Sequence, residues 1–131
     1  MPIKILYAED EPNISSALQE VMSQAGYEVL VCDNGRSVLS ALENFKPDLL
    51  VLDLMMPGMD GLDIVRQLNA DPAKAATPII VTTALAHAKR TMDEFQQVRH
   101  FLVKPFSATT LLQAIKDALK KPAAQQSAQG A

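Results

Sequence analysis

The stretch Asp48-Leu49-Leu50-Val51-Leu52-Asp53, followed by Leu54-Met55-Met56-Pro57-Gly58-Met59-Asp60-Gly61, decides how this chain folds. A short unbroken apolar run ending in a Pro-Gly turn signal reads as a strand covered on both faces, as in parallel sheets. An aspartate closing such a strand stands at the carboxyl edge of the sheet, where open α/β folds place their ligands. Asp53 is therefore a candidate site residue. Two other stretches end in the same way. Ile3-Lys4-Ile5-Leu6-Tyr7-Ala8 runs into Glu9-Asp10-Glu11, and Phe101-Leu102-Val103 runs into Lys104-Pro105-Phe106. Parallel neighbours would bring Glu9, Asp10, Asp53 and Lys104 into one pocket.

Outward from this strand, short apolar runs alternate with segments of helical period, the pattern of repeated βα units. Strands are expected near 3–8, 27–32, 48–53, 78–82 and 100–103. Between them Ile14, Leu18, Val21 and Met22 recur at helical spacing, as do Val38, Leu39, Leu42 and Phe45. Leu62, Ile64, Val65 and Leu68 mark a third helix that stops before Pro72. A shorter, more polar helix is expected from about His87 to Val98. The last helix follows Ser107 as N-cap and carries Leu111, Leu112, Ile115 and Leu119 on one stripe. The fold class is α/β, a doubly wound parallel sheet of five strands with five helices. One domain spans 1–121, and 122–131 reads as a flexible tail or the start of a linker.

A length of 131 residues suits one domain with a real core. The formal net charge of −3 and the lack of a basic, aromatic-laced patch argue against direct nucleic-acid binding. No signal core or spanning apolar segment is visible, and the lone Cys32 fits a reduced, cytoplasmic setting as a small buried residue. Glu11 and Pro12 suit the start of a helix. His87 and His100 lack metal-ligand spacing and read as surface residues.

Four motifs in register carry a resemblance: Glu9-Asp10-Glu11-Pro12, Asp53 through Gly61, Thr82-Thr83-Ala84 and Lys104-Pro105-Phe106. Together they resemble the response-regulator receiver domain of two-component signalling, from Ile3 to about Lys120. The resemblance implies a flavodoxin-like receiver fold and Mg2+-dependent phosphorylation of Asp53. It further implies that Asp10, Asp53 and the backbone carbonyl of Met55 ligate the metal, with Glu9 acting mainly through a bound water. The family often has aspartate at this last position, and glutamate adds a methylene. Thr83 would donate to a phosphoryl oxygen, Thr82 being the second candidate, while the small Ala84 lets its N–H approach. Lys104 would pair with Asp53 at rest and with the phosphoryl group after transfer, aimed by a cis Lys104–Pro105 bond.

Physical chemistry supports a counter-ion here, because two carboxylates about 5 Å apart repel by about 3 kcal/mol at an effective dielectric near 20. Magnesium takes hard oxygen ligands of this kind. An acidic run before a helix is by itself ordinary capping, but a third carboxylate and a lysine on other strands are not explained that way. Met55 and Leu85 occupy positions that tune hydrolysis in the family, and both are apolar, so slow self-dephosphorylation is expected and the chain is a switch rather than an enzyme.

The implied partners are a histidine kinase or phosphotransfer protein and a downstream output protein or domain, reached through the fourth helix, fifth strand and fifth helix. Thr83 and Phe101 would be the moving pair. The stretch Gln96-Gln97-Val98-Arg99-His100 departs from the family's small-residue turn, leaving the shape of that face open. Dimerisation through the last helices is a family habit. A degenerate receiver serving only as an interaction module is the alternative, opposed by the intact Asp10, Asp53, Thr83 and Lys104. A hydrolase with an aspartyl nucleophile would commonly carry a second acid where Met55 stands.

Overall fold

A computed structural model of the chain describes residues 2–58 and 60–120. The expected tail, 122–131, lies outside the described residues. Strands β1 (Lys4–Ala8), β2 (Glu28–Cys32), β3 (Leu49–Asp53), β4 (Ile79–Thr83) and β5 (Val98–Val103) alternate with helices α1 (Pro12–Gln24), α2 (Gly35–Asn44), α3 (Gly61–Ala70), α4 (Lys89–Met92) and α5 (Ala108–Leu119). The strands form one parallel sheet in the order β2-β1-β3-β4-β5. The order reverses direction beside β1 and β3, so their carboxyl ends open a crevice between the two halves.

Alternation along the strands divides the core in two. Leu6, Leu50, Leu52, Ile79 and Val81 pack with α2, α3 and Met92 of α4. Ile5, Tyr7, Leu49, Val51 and Ile80 pack with Met22 of α1 and with Leu111, Ala114, Ile115 and Ala118 of α5. Every residue of β3 and β4 is buried, which accounts for their unbroken apolar character. Helix starts follow the local sequence: Asn34 accepts from the Ser37 N–H, Asp60 from the Leu62 N–H and Ser107 from the Thr110 N–H. Glu11 caps α1, with Pro12 as its first residue.

The segment after β4 departs from expectation. Instead of a helix from about His87 to Val98, a 3-10 turn (Ala86–Ala88) leads into the single turn of α4, and β5 starts at Val98. Lys89, Arg90, Asp93 and Glu94 offer no apolar stripe, so Met92 is the one buried residue of α4. Buried Gln97 then takes over, donating from Nε2 to the carbonyls of Lys74 at 2.7 Å and Thr77 at 2.9 Å. Ile79 aligns with Val98 but Ile80 with His100, which leaves Arg99 as an extra residue in β5.

Gly61 presses the start of α3 against the residue after Asp53. A Cβ there would lie 2.6 Å from the Leu54 Cα and 2.9 Å from its carbonyl oxygen. At Gly26 the space is open and only the φ of +102° disfavours a side chain. Gly61→Ala should therefore lower stability by about 2 kcal/mol, against about 1 kcal/mol for Gly26→Ala, as read by urea unfolding.

Candidate functional site

The carboxyl ends of β1, β3 and β5 meet through one ammonium group. Lys104 Nζ donates to Asp53 Oδ2 and to Glu9 Oε1, each at 2.8 Å. Asp53 is 3% exposed, and its other oxygen accepts from the Met55 N–H at 2.9 Å. Glu9 is 1% exposed, and its Oε2 accepts from the Glu11 N–H at 3.2 Å. Asp10 is exposed. Oxygens of Glu9, Asp10 and Asp53 all lie within 4.8 Å of one another. An all-oxygen carboxylate set of this kind fits a hard divalent cation. The acids and the lysine thus converge as their positions at strand ends lead one to expect.

The Lys104–Pro105 bond is cis, as the resemblance implies, and the Lys104 N–H bonds the Thr83 carbonyl at 2.8 Å. Thr82 stands in register with Asp53, whereas Thr83 continues the opposite face. Thr83 Oγ1 accepts from the Leu85 N–H at 3.1 Å, which uses an oxygen lone pair and leaves the hydroxyl proton available. The Thr82 hydroxyl is buried and has no hydrogen-bond partner among the described residues. Ala84 is exposed beside this edge. Met55 at 55% and Leu85 at 37% exposure line a common cleft that also holds Met56, Met92 and His87. Phe101 is half-buried against the α2–α4 core. His100 approaches Asp117 at 4.0 Å, and neither histidine belongs to the carboxylate cluster.

Burial raises the Glu9 carboxyl above its ordinary range, an effect that Lys104 reduces and the charge of Asp53 enhances. Burial works against the Lys104 ammonium, but hydrogen bonds to Asp53 and Glu9 outweigh it and hold the group above its ordinary range. Cys32 is buried as expected, and its thiol is raised by burial and then by Asp33.

The direct Glu9–Lys104 contact and the role of Tyr7 escape a reading of the sequence alone. The extra methylene of glutamate was the one available signal for the first. Tyr7 is buried on the Glu9 face of β1, and burial, then the charges of Glu9 and Asp53, push its phenol far above the usual range. The folded state thereby favours the neutral phenol, so its contribution to stability is whole below about pH 10 and declines as pH rises further. Urea unfolding of Tyr7→Phe should show a shallower loss of stability above about pH 10 than the wild-type chain.

With this geometry in place, comparison with known proteins is direct. The response regulator receiver domain family matches residues 5–116, and the chain belongs to that family. It is 33% identical over 117 residues to protein PilH of Pseudomonas aeruginosa, covering 88% of this chain and 97% of PilH. It is also 33% identical to the alkaline phosphatase synthesis transcriptional regulatory protein PhoP of Bacillus subtilis, covering 90% of this chain and 49% of PhoP. The chain thus spans nearly all of the first relative and about half of the second. Among solved structures, response regulator TrrA of Thermotoga maritima, in complex with Mg(2+)-BeF, superimposes with a TM-score of 0.79 at 31% identity, covering 89% of this chain and 99% of TrrA. Chemotaxis response regulator CheY4 of Vibrio cholerae gives 0.82 at 27% identity, covering 91% of this chain and all of CheY4. No helix of the described residues is long and apolar enough to cross a membrane.

Proposed function

We propose that this chain is a phosphoacceptor switch in which Asp53 receives a phosphoryl group from a histidine kinase or phosphotransfer protein. The observation that carries the reading is the convergence on buried Asp53 of the Lys104 ammonium and the Glu9 and Asp10 carboxylates. Asp10, Asp53 and the Met55 carbonyl would hold Mg2+, which when bound neutralises charge on the phosphoryl oxygens. The Asp53 carboxylate attacks phosphorus, the bond from phosphorus to the donor's nitrogen or oxygen breaks, and the donor departs with that electron pair. Lys104 is poised to exchange its contact with an Asp53 oxygen for one with a phosphoryl oxygen. The Thr83 hydroxyl and the Ala84 N–H supply further donors at the same edge.

Thr83 moving toward the phosphoryl group vacates space in the α2–α4 core, which half-buried Phe101 is placed to fill. The surface that changes is formed by α4, β5 and α5 and is read by a downstream protein or domain. A single-turn α4 leaves most of that surface to β5 and α5. The cytoplasm is the setting this reading requires. An interaction-only module is less favoured, since Asp10, Asp53, Thr83 and Lys104 are all present.

Incubation with acetyl phosphate should add one phosphoryl group by intact mass when Mg2+ is present and none in Asp53→Asn. A failure of the wild-type chain to gain that mass with Mg2+ bound would falsify the phosphoacceptor reading. Met55, two residues after Asp53, and Leu85, two after Thr83, line one cleft, and neither side chain offers a group to orient an attacking water, which supports slow self-dephosphorylation. The aspartyl phosphate should persist for minutes or longer at neutral pH, and Met55→Asn should shorten its lifetime several-fold. Decay within seconds in the wild-type chain would contradict this.

A further inference from the structure

Glu9 is the least exposed carboxylate at the site, and both its oxygens already have partners inside the protein. A buried carboxylate needs such partners, because an unpaired charge away from water is costly. Its backbone is fixed as well: the Glu9 N–H bonds the Cys32 carbonyl at 2.9 Å, so the residue is anchored on the β2 side of the crevice. Lys104 reaches the same point from β5, on a flexible four-carbon stem that a single contact would leave free to sweep. Two contacts, one to β3 and one to β1, locate the ammonium. Glu9, Asp10 and Asp53 together face the one positive charge of Lys104, which leaves two negative charges for one divalent cation.

We propose that Glu9 is the positioning residue of Lys104, holding its ammonium in place while the contact to Asp53 is exchanged for one to a phosphoryl oxygen. This rests on the phosphoacceptor reading for its consequence, although the pairing itself exists in the resting protein. The length of glutamate is what allows the contact. Aspartate would draw the carboxylate back by about one C–C bond, ~1.5 Å, and lose a hydrogen bond now at 2.8 Å.

Magnesium affinity measured by isothermal titration calorimetry on wild type, Glu9→Gln, Lys104→Met and the double variant tests the pairing. With Lys104 removed, Glu9 is free to turn toward the ion. Glu9→Gln should then weaken magnesium binding at least about fivefold more in the Lys104→Met background than with Lys104 present. In the metal-free protein, NMR resonances of the Lys104 side chain should shift in Glu9→Asp, which keeps the charge but shortens the arm, and stay in place in Asp10→Asn. An equal cost of Glu9→Gln in both backgrounds, or Lys104 resonances unmoved by Glu9→Asp, overturns the proposal. Acetyl phosphate labelling of the wild-type chain separates the two ideas. Its absence counts against the phosphoacceptor reading, whereas the metal-free resonances decide the pairing alone.

Discussion

One ammonium group closes the functional edge of this sheet. The carboxyl ends of parallel strands gather side chains of like charge at β1 and β3, and repulsion would spread them without a counter-charge. Lys104 arrives from β5, on the far side of β4, and bonds both Asp53 and Glu9. The hydrogen bond from the Lys104 N–H to the Thr83 carbonyl holds the base of that side chain at the sheet edge. Asp53, the other acids and the threonine edge therefore share one small volume because the topology delivers them there.

The rest of the architecture serves to hold this edge still. The strand that carries Asp53 and its neighbour β4 are buried on both faces, and Gly61 allows α3 to begin in contact with Leu54. The Met55 N–H fixes one Asp53 oxygen while Lys104 engages the other. The surroundings are preorganised, so little rearrangement is needed where charge arrives. The cleft beside the site is lined on one side by the apolar Met55 and Leu85, with Asp60, His87 and Thr91 also on its wall.

Much of this was legible from local pattern. Continuous apolar runs ending in Asp53, Glu9-Asp10 and Lys104 point to parallel strands with a charged edge, and the structure brings those residues together. The region after Thr83 was not legible, because its shape depends on distant contacts. Gln97 looks like one polar residue among several until its amide meets the carbonyls of Lys74 and Thr77, 23 and 20 positions away. The extra residue in β5 has no local signature, and a polar run without an apolar stripe cannot reveal that its helix lasts a single turn. The inward turn of Glu9 likewise depends on a residue 95 positions distant.

Thr82 and Thr83 are adjacent in sequence, yet they lie on opposite sides of the sheet. The sheet acts as a partition between two compartments. Asp53, Glu9 and Lys104 gather on the side of Tyr7 and Val51, with α1 close by, whereas Thr83 continues the row of Ile79 and Val81 toward Phe101 and Met92. A displacement of Thr83 is therefore felt in the compartment that holds α4, while the layer between α1 and the sheet can keep its packing. The carboxylate cluster and the α4 layer thus meet at one sheet edge while resting on different halves of the core.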